Sequence, residues 1–88
     1  MRNRYQSGNT VWLSCEFEED PQLVKLIIYN YKQEKIEEIT SVEKIDVGMY
    51  RYPYKTIANK NETLHYEWYG ETDGIVNLKR KSFCTSFL

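Results

Sequence analysis

The residues of this sequence that could do chemistry are few and far apart. Cys15, His65 and Cys84 are the candidate soft metal ligands, and 50 and 19 residues separate them along the chain. A structural zinc site needs four ligands, usually in close pairs, so these three would leave the coordination shell incomplete. One histidine and two scattered cysteines also give no local signature of a nucleophile beside its general base. We therefore expect no metal, no cofactor and no catalytic residue, and hence no enzyme.

Two charged segments could bind ions or polymers. The carboxylates of residues 16–20 lack the spacing and the central glycine of a 12-residue calcium loop, so we interpret them as a solvated turn. Residues 79–81 form a basic run that, with nearby aromatic residues, could bind single-stranded nucleic acid. However, 12 Lys and Arg balance 13 Asp and Glu, and residues 34–43 are acidic. A strand whose lysines face water is therefore the favoured interpretation.

The elements that must position these residues are strands. Apolar and polar side chains alternate over residues 10–17, 23–29, 49–54, 63–69 and 75–87. Residues 32–45 are ambiguous, because an apolar spacing of three suits a helix whereas a strand over residues 35–40 suits the neighbouring strands. Turn signals stand at residues 46–48, 58–62 and 71–74, the last containing Asp-Gly. About seven short strands at this spacing predict an all-β fold, a β-sandwich or a small barrel.

In each predicted strand, the alternating positions that carry apolar side chains predict the core. Residues rich in β-propensity (Val, Ile, Tyr, Phe, Trp and Thr) make up 31 of 88 positions, and the single alanine disfavours a helical bundle. Cys15 shares the core parity whereas Cys84 falls on the opposite one, so we expect two free thiols and no disulfide. The predicted core residues are Val11, Leu13, Phe17, Val24, Leu26, Ile28, Tyr50, Tyr52, Leu64, Tyr66, Trp68 and Phe83.

Two features point to contacts with other proteins. Residues 1–9 are polar and predict an N-terminal arm before a domain at 10–88, an arm that gains order only across a partner. Trp12 and three further apolar residues occupy alternating positions that point away from the predicted core on neighbouring strands, which suggests that another protein covers this face. The longest apolar run, residues 23–29, is too short to span a membrane. The candidate protein-contact residues are Arg2, Arg4, Tyr5, Trp12, Ile27, Tyr29 and Tyr69, and of these Tyr5 and Trp12 should be exposed in the isolated chain.

The order of landmarks along the chain carries a resemblance. The landmarks are residues 8–11 opening a strand that ends at Phe17, Asp20–Pro21, residues 47–50, residues 66–70 (Tyr-Glu-Trp-Tyr-Gly), and residues 80–83. This order resembles small immunoglobulin-like proteins encoded among the head and head–tail joining genes of tailed bacteriophages and prophages. The resemblance extends from Gly8 to Phe87, with one departure: only Glu18–Glu19 stand where many such sequences carry a longer Asp/Gly-rich loop.

The resemblance implies an immunoglobulin-like antiparallel β-sandwich with a structural, non-enzymatic role in a phage particle. Its place would be the head–tail neck or the capsid surface, where it would decorate the shell. The implied partners are portal, adaptor, tail or capsid proteins, with several copies in a symmetric assembly made in the host cytoplasm. Two alternatives remain: a small β-barrel that binds single-stranded nucleic acid, and a module that binds the host surface.

Overall fold

The chain forms eight strands and no helix over the residues described by the computed structural model, which are 3–6, 10–56 and 62–86. This confirms the all-β class, and residues 32–45 adopt the strand alternative rather than the helix. The predicted loop at residues 58–62 lies almost wholly outside the described residues. The strands are β1 (Asn3–Gln6), β2 (Thr10–Glu16), β3 (Leu23–Tyr29), β4 (Lys35–Ile39), β5 (Glu43–Asp46), β6 (Met49–Lys55), β7 (Glu62–Thr72) and β8 (Ile75–Ser86).

The strands form two sheets that pack as a β-sandwich. The five-stranded sheet has the order β1-β8-β7-β3-β4, and the three-stranded sheet has the order β2-β6-β5. All neighbouring strands are antiparallel except β1, which runs parallel to β8. Direct hairpins join β3 to β4, β5 to β6 and β7 to β8, whereas the other four connections change sheets. Alternating side chains of both inner faces therefore meet in one core.

The core follows the predicted parity closely. Ten of the twelve predicted core residues are buried, and the other two, Val24 and Tyr52, are partly buried and pack against them. Ile39 on β4 also belongs to this core cluster. Strand β4 lies in the segment whose apolar spacing did not distinguish a helix from a strand. Trp68 lies at its centre with 1% of its surface exposed, between Lys79 on β8 and Leu26 on β3 in the sheet register.

Backbone chemistry fixes two of the hairpins. Asp73 and Gly74 have φ values of 50° and 80°, which is the conformation of a type I′ turn and confirms the Asp-Gly prediction. Gly48 has φ 73° in the β5–β6 turn, and its carbonyl accepts a hydrogen bond of 2.8 Å from the Phe17 amide. Pro53 lies on β6 beyond Arg51, where the β5 pairing stops, so its missing N–H costs no ladder bond on that side.

The N-terminal segment differs from the sequence prediction. Residues 1–9 were predicted to be an arm separate from the sandwich, but Asn3–Gln6 forms β1 and pairs with Phe83–Ser86. A strand at a sheet edge is held by main-chain hydrogen bonds, which require no hydrophobic period, and this is why the polar sequence gave no strand signal. Removing residues 1–7 would therefore remove an edge strand of the five-stranded sheet.

Candidate protein-contact surface

The candidate contact residues lie on two opposite faces of the sandwich rather than on one. Trp12 is on the outer face of the three-stranded sheet, and Ile27, Tyr29 and Tyr69 are on the outer face of the five-stranded sheet. Arg4 and Tyr5 lie on β1, opposite Cys84 and Thr85 in register, whereas Arg2 lies outside the described residues. A period of two assigns each residue to an inner or outer face, but it does not say which sheet the strand joins.

Trp12 is held on the outer face by a short row of charged side chains. Its ring lies 4.5 Å from the Arg51 guanidinium, and 52% of its surface is exposed. Arg51 in turn donates two hydrogen bonds to the Glu43 carboxylate, of 3.0 and 3.1 Å, which lower the pKa of Glu43. One residue from each strand thus builds the row across the three-stranded sheet. Stacking on Arg51 fixes an exposed Trp in one orientation.

Tyr29 is tied into the outer face of the five-stranded sheet. Its hydroxyl donates to the Glu67 carboxylate at 3.4 Å, and the Arg80 guanidinium lies 4.7 Å from the centre of its ring. Arg80 also approaches Glu67 at 3.4 Å and donates to the Gln33 side chain at 2.8 Å. The long Arg80 side chain therefore extends from β8 across β7 to the β3–β4 turn. This network leaves Tyr29 only partly accessible to a partner.

Tyr69 borders an apolar patch near the β7–β8 turn. The Lys25 ammonium lies 4.6 Å from the ring centre, and the Tyr69 hydroxyl donates to Glu71 at 3.1 Å, which raises the pKa of Tyr69. Leu78 is directly opposite Tyr69 in register and is 56% exposed. Val76 and Leu23, both more than 40% exposed, flank Glu71 on either side. These three aliphatic residues were not among the contact residues predicted from the sequence, although outward alternation over residues 76–80 was the available signal.

Ile27 does not present the exposed side chain that its outward parity suggested. Only 9% of its surface is accessible. It lies at the centre of β3 on the outer face, opposite Glu67 on one side and Glu38 on the other. A central position in a five-stranded sheet surrounds an outward residue with long neighbours, which cover it without a partner chain. Ile27 is therefore a poor contact residue in the isolated chain.

The basic run does not form one surface. Lys79 and Lys81 pair in register with the buried residues Trp68 and Tyr66, so they share the inner parity of β8. Arg80 points to the opposite face and is engaged by Glu67 and Gln33. The alternation of the strand thus divides the three cations between two sides of the sheet.

Asp20 joins the β2–β3 loop to the β5–β6 hairpin. Its carboxylate accepts hydrogen bonds from the Lys44 ammonium at 2.5 Å, the Tyr50 hydroxyl at 2.7 Å and the Gly48 amide at 3.2 Å. These donors, Lys44 first, lower the pKa of Asp20 to about 2. Burial and the nearby Asp20 carboxylate together raise the pKa of Tyr50 to about 12. Residues 18–20 are exposed, as predicted for a solvated turn, and Asp20 in addition anchors this turn to the β5–β6 hairpin.

The lowered pKa of Asp20 predicts how acid affects this link. Because the folded value is below the unfolded value of about 3.9, the ionised carboxylate stabilises the fold above about pH 4. The stabilisation disappears as the pH falls toward about 2. We expect Asp20→Asn to lower the melting temperature at neutral pH. We also expect the melting temperature of this variant to fall less on acidification than that of wild type. Calorimetry from about pH 7 to pH 2 tests this, with Glu18→Gln as the control; parallel curves for Asp20→Asn and wild type would contradict it.

The two thiols belong to different sheets. Cys15 is on β2 and Cys84 is on β8, where its sulfur lies 3.5 Å from the Thr63 hydroxyl oxygen. Neither cysteine forms a disulfide, and both are partly buried. Burial raises the pKa of the Cys15 thiol to about 12, against a smaller lowering by Lys79 and Lys81.

The raised pKa predicts an unreactive Cys15. At neutral pH the thiolate fraction should fall on the order of 100-fold or more below that of a free cysteine, since the thiolate is the reactive form. In a Cys84→Ser chain, we expect a colorimetric thiol reagent to react slowly with the folded protein and fast after unfolding. Equal rates in both states would contradict the assignment.

Unfolded, unreduced wild type should titrate two thiols, because no disulfide links Cys15 to Cys84.

The described residues contain no group of three or more His, Cys, Asp or Glu side chains arranged to hold a metal ion. No helix in the same part of the chain is long and apolar enough to cross a membrane. Comparisons of the chain with family models, with curated proteins and with solved structures gave no match.

Proposed function

We propose that this chain is a non-enzymatic structural protein of a tailed phage particle, with an immunoglobulin-like fold. It assembles by protein–protein contacts at the head–tail neck or on the capsid, in several copies. The sequence resemblance supports the assignment to a phage particle. The observation that carries the contact role is Trp12, half exposed on an outer sheet face and stacked on Arg51.

The strand order supports the immunoglobulin-like part of the proposal. If β2 to β8 are taken as strands B, C, C′, D, E, F and G, the sheets become B-E-D and G-F-C-C′. This is the arrangement of variable-type immunoglobulin domains without strand C″, and β1 adds beside strand G. The chain departs from antibody domains in the core, where Trp68 lies on the F-equivalent strand and no disulfide joins the sheets.

Trp12 and Arg51 suit a contact with another protein. Tryptophan and arginine are enriched among the residues that contribute most to binding at protein interfaces. The Arg51–Glu43 pair already orders the arginine, so a partner that packs on Trp12 orders fewer side chains on binding. Pro53 lies opposite Trp12 in register and adds a rigid neighbour on the same face.

The nucleic-acid alternative is less well supported. A binding groove for single strands needs cations that track the phosphate backbone together with stacking aromatic residues. Here Arg80 and the two lysines of the basic run project to opposite sides of β8, and Arg80 already pairs with Glu67. Salt-dependent binding of single-stranded DNA by the purified chain would favour this alternative. Binding of glycans through Trp12 would favour the host-surface module.

Purified particles test the proposal. We expect the chain to copurify with assembled particles from the cells that encode it, in a fixed ratio to the major capsid protein. Trp12→Ala should lower that ratio by about tenfold, the loss expected when one central anchor of an interface is removed. Tyr31→Ala is the matched control, because Tyr31 is an aromatic side chain with 66% exposure in the β3–β4 turn.

Each outcome of this experiment is decisive. A chain absent from the particles contradicts the proposed function. A chain that is present with the same ratio in wild type and Trp12→Ala assigns the contact to another surface. The melting temperatures of the two variants should stay close to that of wild type, so that a change of ratio reports contact rather than folding.

A further inference from the structure

The five-stranded sheet has two open edges of complementary charge. On β8, the register with β1 covers only Phe83–Ser86, so in the described part of the chain no strand pairs with residues 75–82 on that side. On the opposite side of the sheet, β4 pairs with β3 alone. Residues 75–81 are all exposed, as are four of the five residues of β4. Unpaired strand edges are templates for another strand.

Each of these edges carries charges that form no ion pair among the described residues, and the unpaired charges of the two edges are opposite. Among the described residues, no acidic side chain lies within ion-pair distance of Lys79 or Lys81. Likewise, no cationic side chain of these residues lies within that distance of Glu37 on β4. The three residues also share one side of the sheet. Lys79 and Lys81 are in register with the core residues Trp68 and Tyr66, and Glu37 is in register with Ile28.

The strand directions match as well. Three antiparallel steps separate β8 from β4, through β7 and β3, so β8 and β4 run in opposite directions within one molecule. Two copies placed side by side in the same orientation therefore bring β4 of one against β8 of the other as an antiparallel pair. Neither copy has to be turned over for this pairing. The inner faces of the two joined five-stranded sheets, one from each copy, remain on the same side.

We infer that β4 of one copy of this chain adds to the free β8 edge of the next copy, with Glu37 facing the Lys79–Lys81 side. The inference rests on the proposed function, which requires several copies in one assembly. Contact between two different edges is heterologous, so repeating it closes a ring or extends a filament. Main-chain hydrogen bonds hold the pair together, and opposite charges on one face select the partner edge.

Charge exchange between the edges tests this inference. Wild type should self-associate in sedimentation velocity as its concentration rises, and added salt should weaken the association. Glu37→Lys on one edge, or Lys79→Glu/Lys81→Glu on the other, should weaken it by about tenfold or more, because each places like charges opposite one another. An equimolar mixture of the two variants should restore association, since it recreates opposite charges at each contact.

A matched variant separates this edge effect from net charge. Glu16→Lys makes the same change of net charge as the β4 variant but lies on the outer face of β2, on the same parity as Trp12, so it should associate like wild type. Wild type that stays monomeric to about 1 mM overturns the inference, as does a mixture that fails to associate. Melting curves confirm that each variant is folded.

The particle experiment distinguishes the two proposals. A chain that is absent from particles but whose edge variants behave as described contradicts the proposed function alone. A chain that is present in particles, with edge variants incorporated as well as wild type and no self-association, contradicts the edge pairing alone.

Discussion

Replacing Trp68 with alanine is expected to lower the free energy of unfolding by about 3–5 kcal/mol. The indole is 1% exposed at the centre of the core, and its removal leaves a cavity that the two sheets cannot close without moving. A domain of this size has a small total stability, so the loss is a large fraction of it. Urea denaturation followed by circular dichroism measures the change.

The second tryptophan is the control for this prediction. Trp12 has the same side chain but is 52% exposed and contacts Arg51 on the outer face. Trp12→Ala should cost about 1 kcal/mol or less, the range of a partly exposed cation–π contact. Trp68→Phe should fall between the two, because it keeps an aromatic ring and removes an indole N–H that has no hydrogen-bond partner in the described residues. Equal losses for both alanine variants would mean that the core lies elsewhere.

Gly48→Ala should cost about 2–4 kcal/mol, the second largest effect that we expect from a single substitution. Gly48 has φ 73°, a conformation that side chains with a Cβ rarely adopt. A Cβ built there would lie 2.6 Å from the carbonyl oxygen of Phe17, which is backbone and cannot rotate away. The clash would also strain the bond from the Phe17 amide to the Gly48 carbonyl.

Gly74→Ala separates the backbone-conformation part of that cost from the steric part. Gly74 has φ 80° in the β7–β8 turn, but no atom lies within 4 Å of the position that its Cβ would occupy. Alanine there pays for the backbone conformation alone, about 1 kcal/mol. The difference between the two variants, measured by urea denaturation, therefore reports the contact with Phe17. A difference below about 0.5 kcal/mol would show that the β5–β6 turn shifts to make room.

The inner face of this sandwich was predictable because one physical rule governs it. Leu13, Leu64 and Trp68 each lie in a run that alternates strictly, and a side chain on the apolar parity of such a run has to be buried. The Asp73–Gly74 turn was predictable for a similarly local reason, since both residues adopt positive φ.

The arrangement of the outer faces was not predictable from the sequence. Trp12 and Tyr29 have the same outward parity, yet they lie on opposite sides of the molecule because β2 and β3 join different sheets. Ile27 is covered because β3 is an interior strand with β7 and β4 on either side, and this position does not follow from the sequence of β3 itself. The β1 strand depends on main-chain pairing with β8 at the other end of the chain, which has no local signal.

The pairing of β1 with β8 also determines when this protein can finish folding. Asn3 lies on β1, the first of the eight strands to be synthesised, and pairs with Phe83 on β8, the last of the eight. β7, which lies at the centre of the five-stranded sheet, is likewise synthesised only after six of the other seven strands. The β3–β4 hairpin therefore keeps Leu26 and Ile28 without their partners on β7 until that strand has been synthesised. Contacts so distant in sequence form slowly, so the sandwich buries its core only after β8 has been synthesised, rather than by stepwise growth of its sheets.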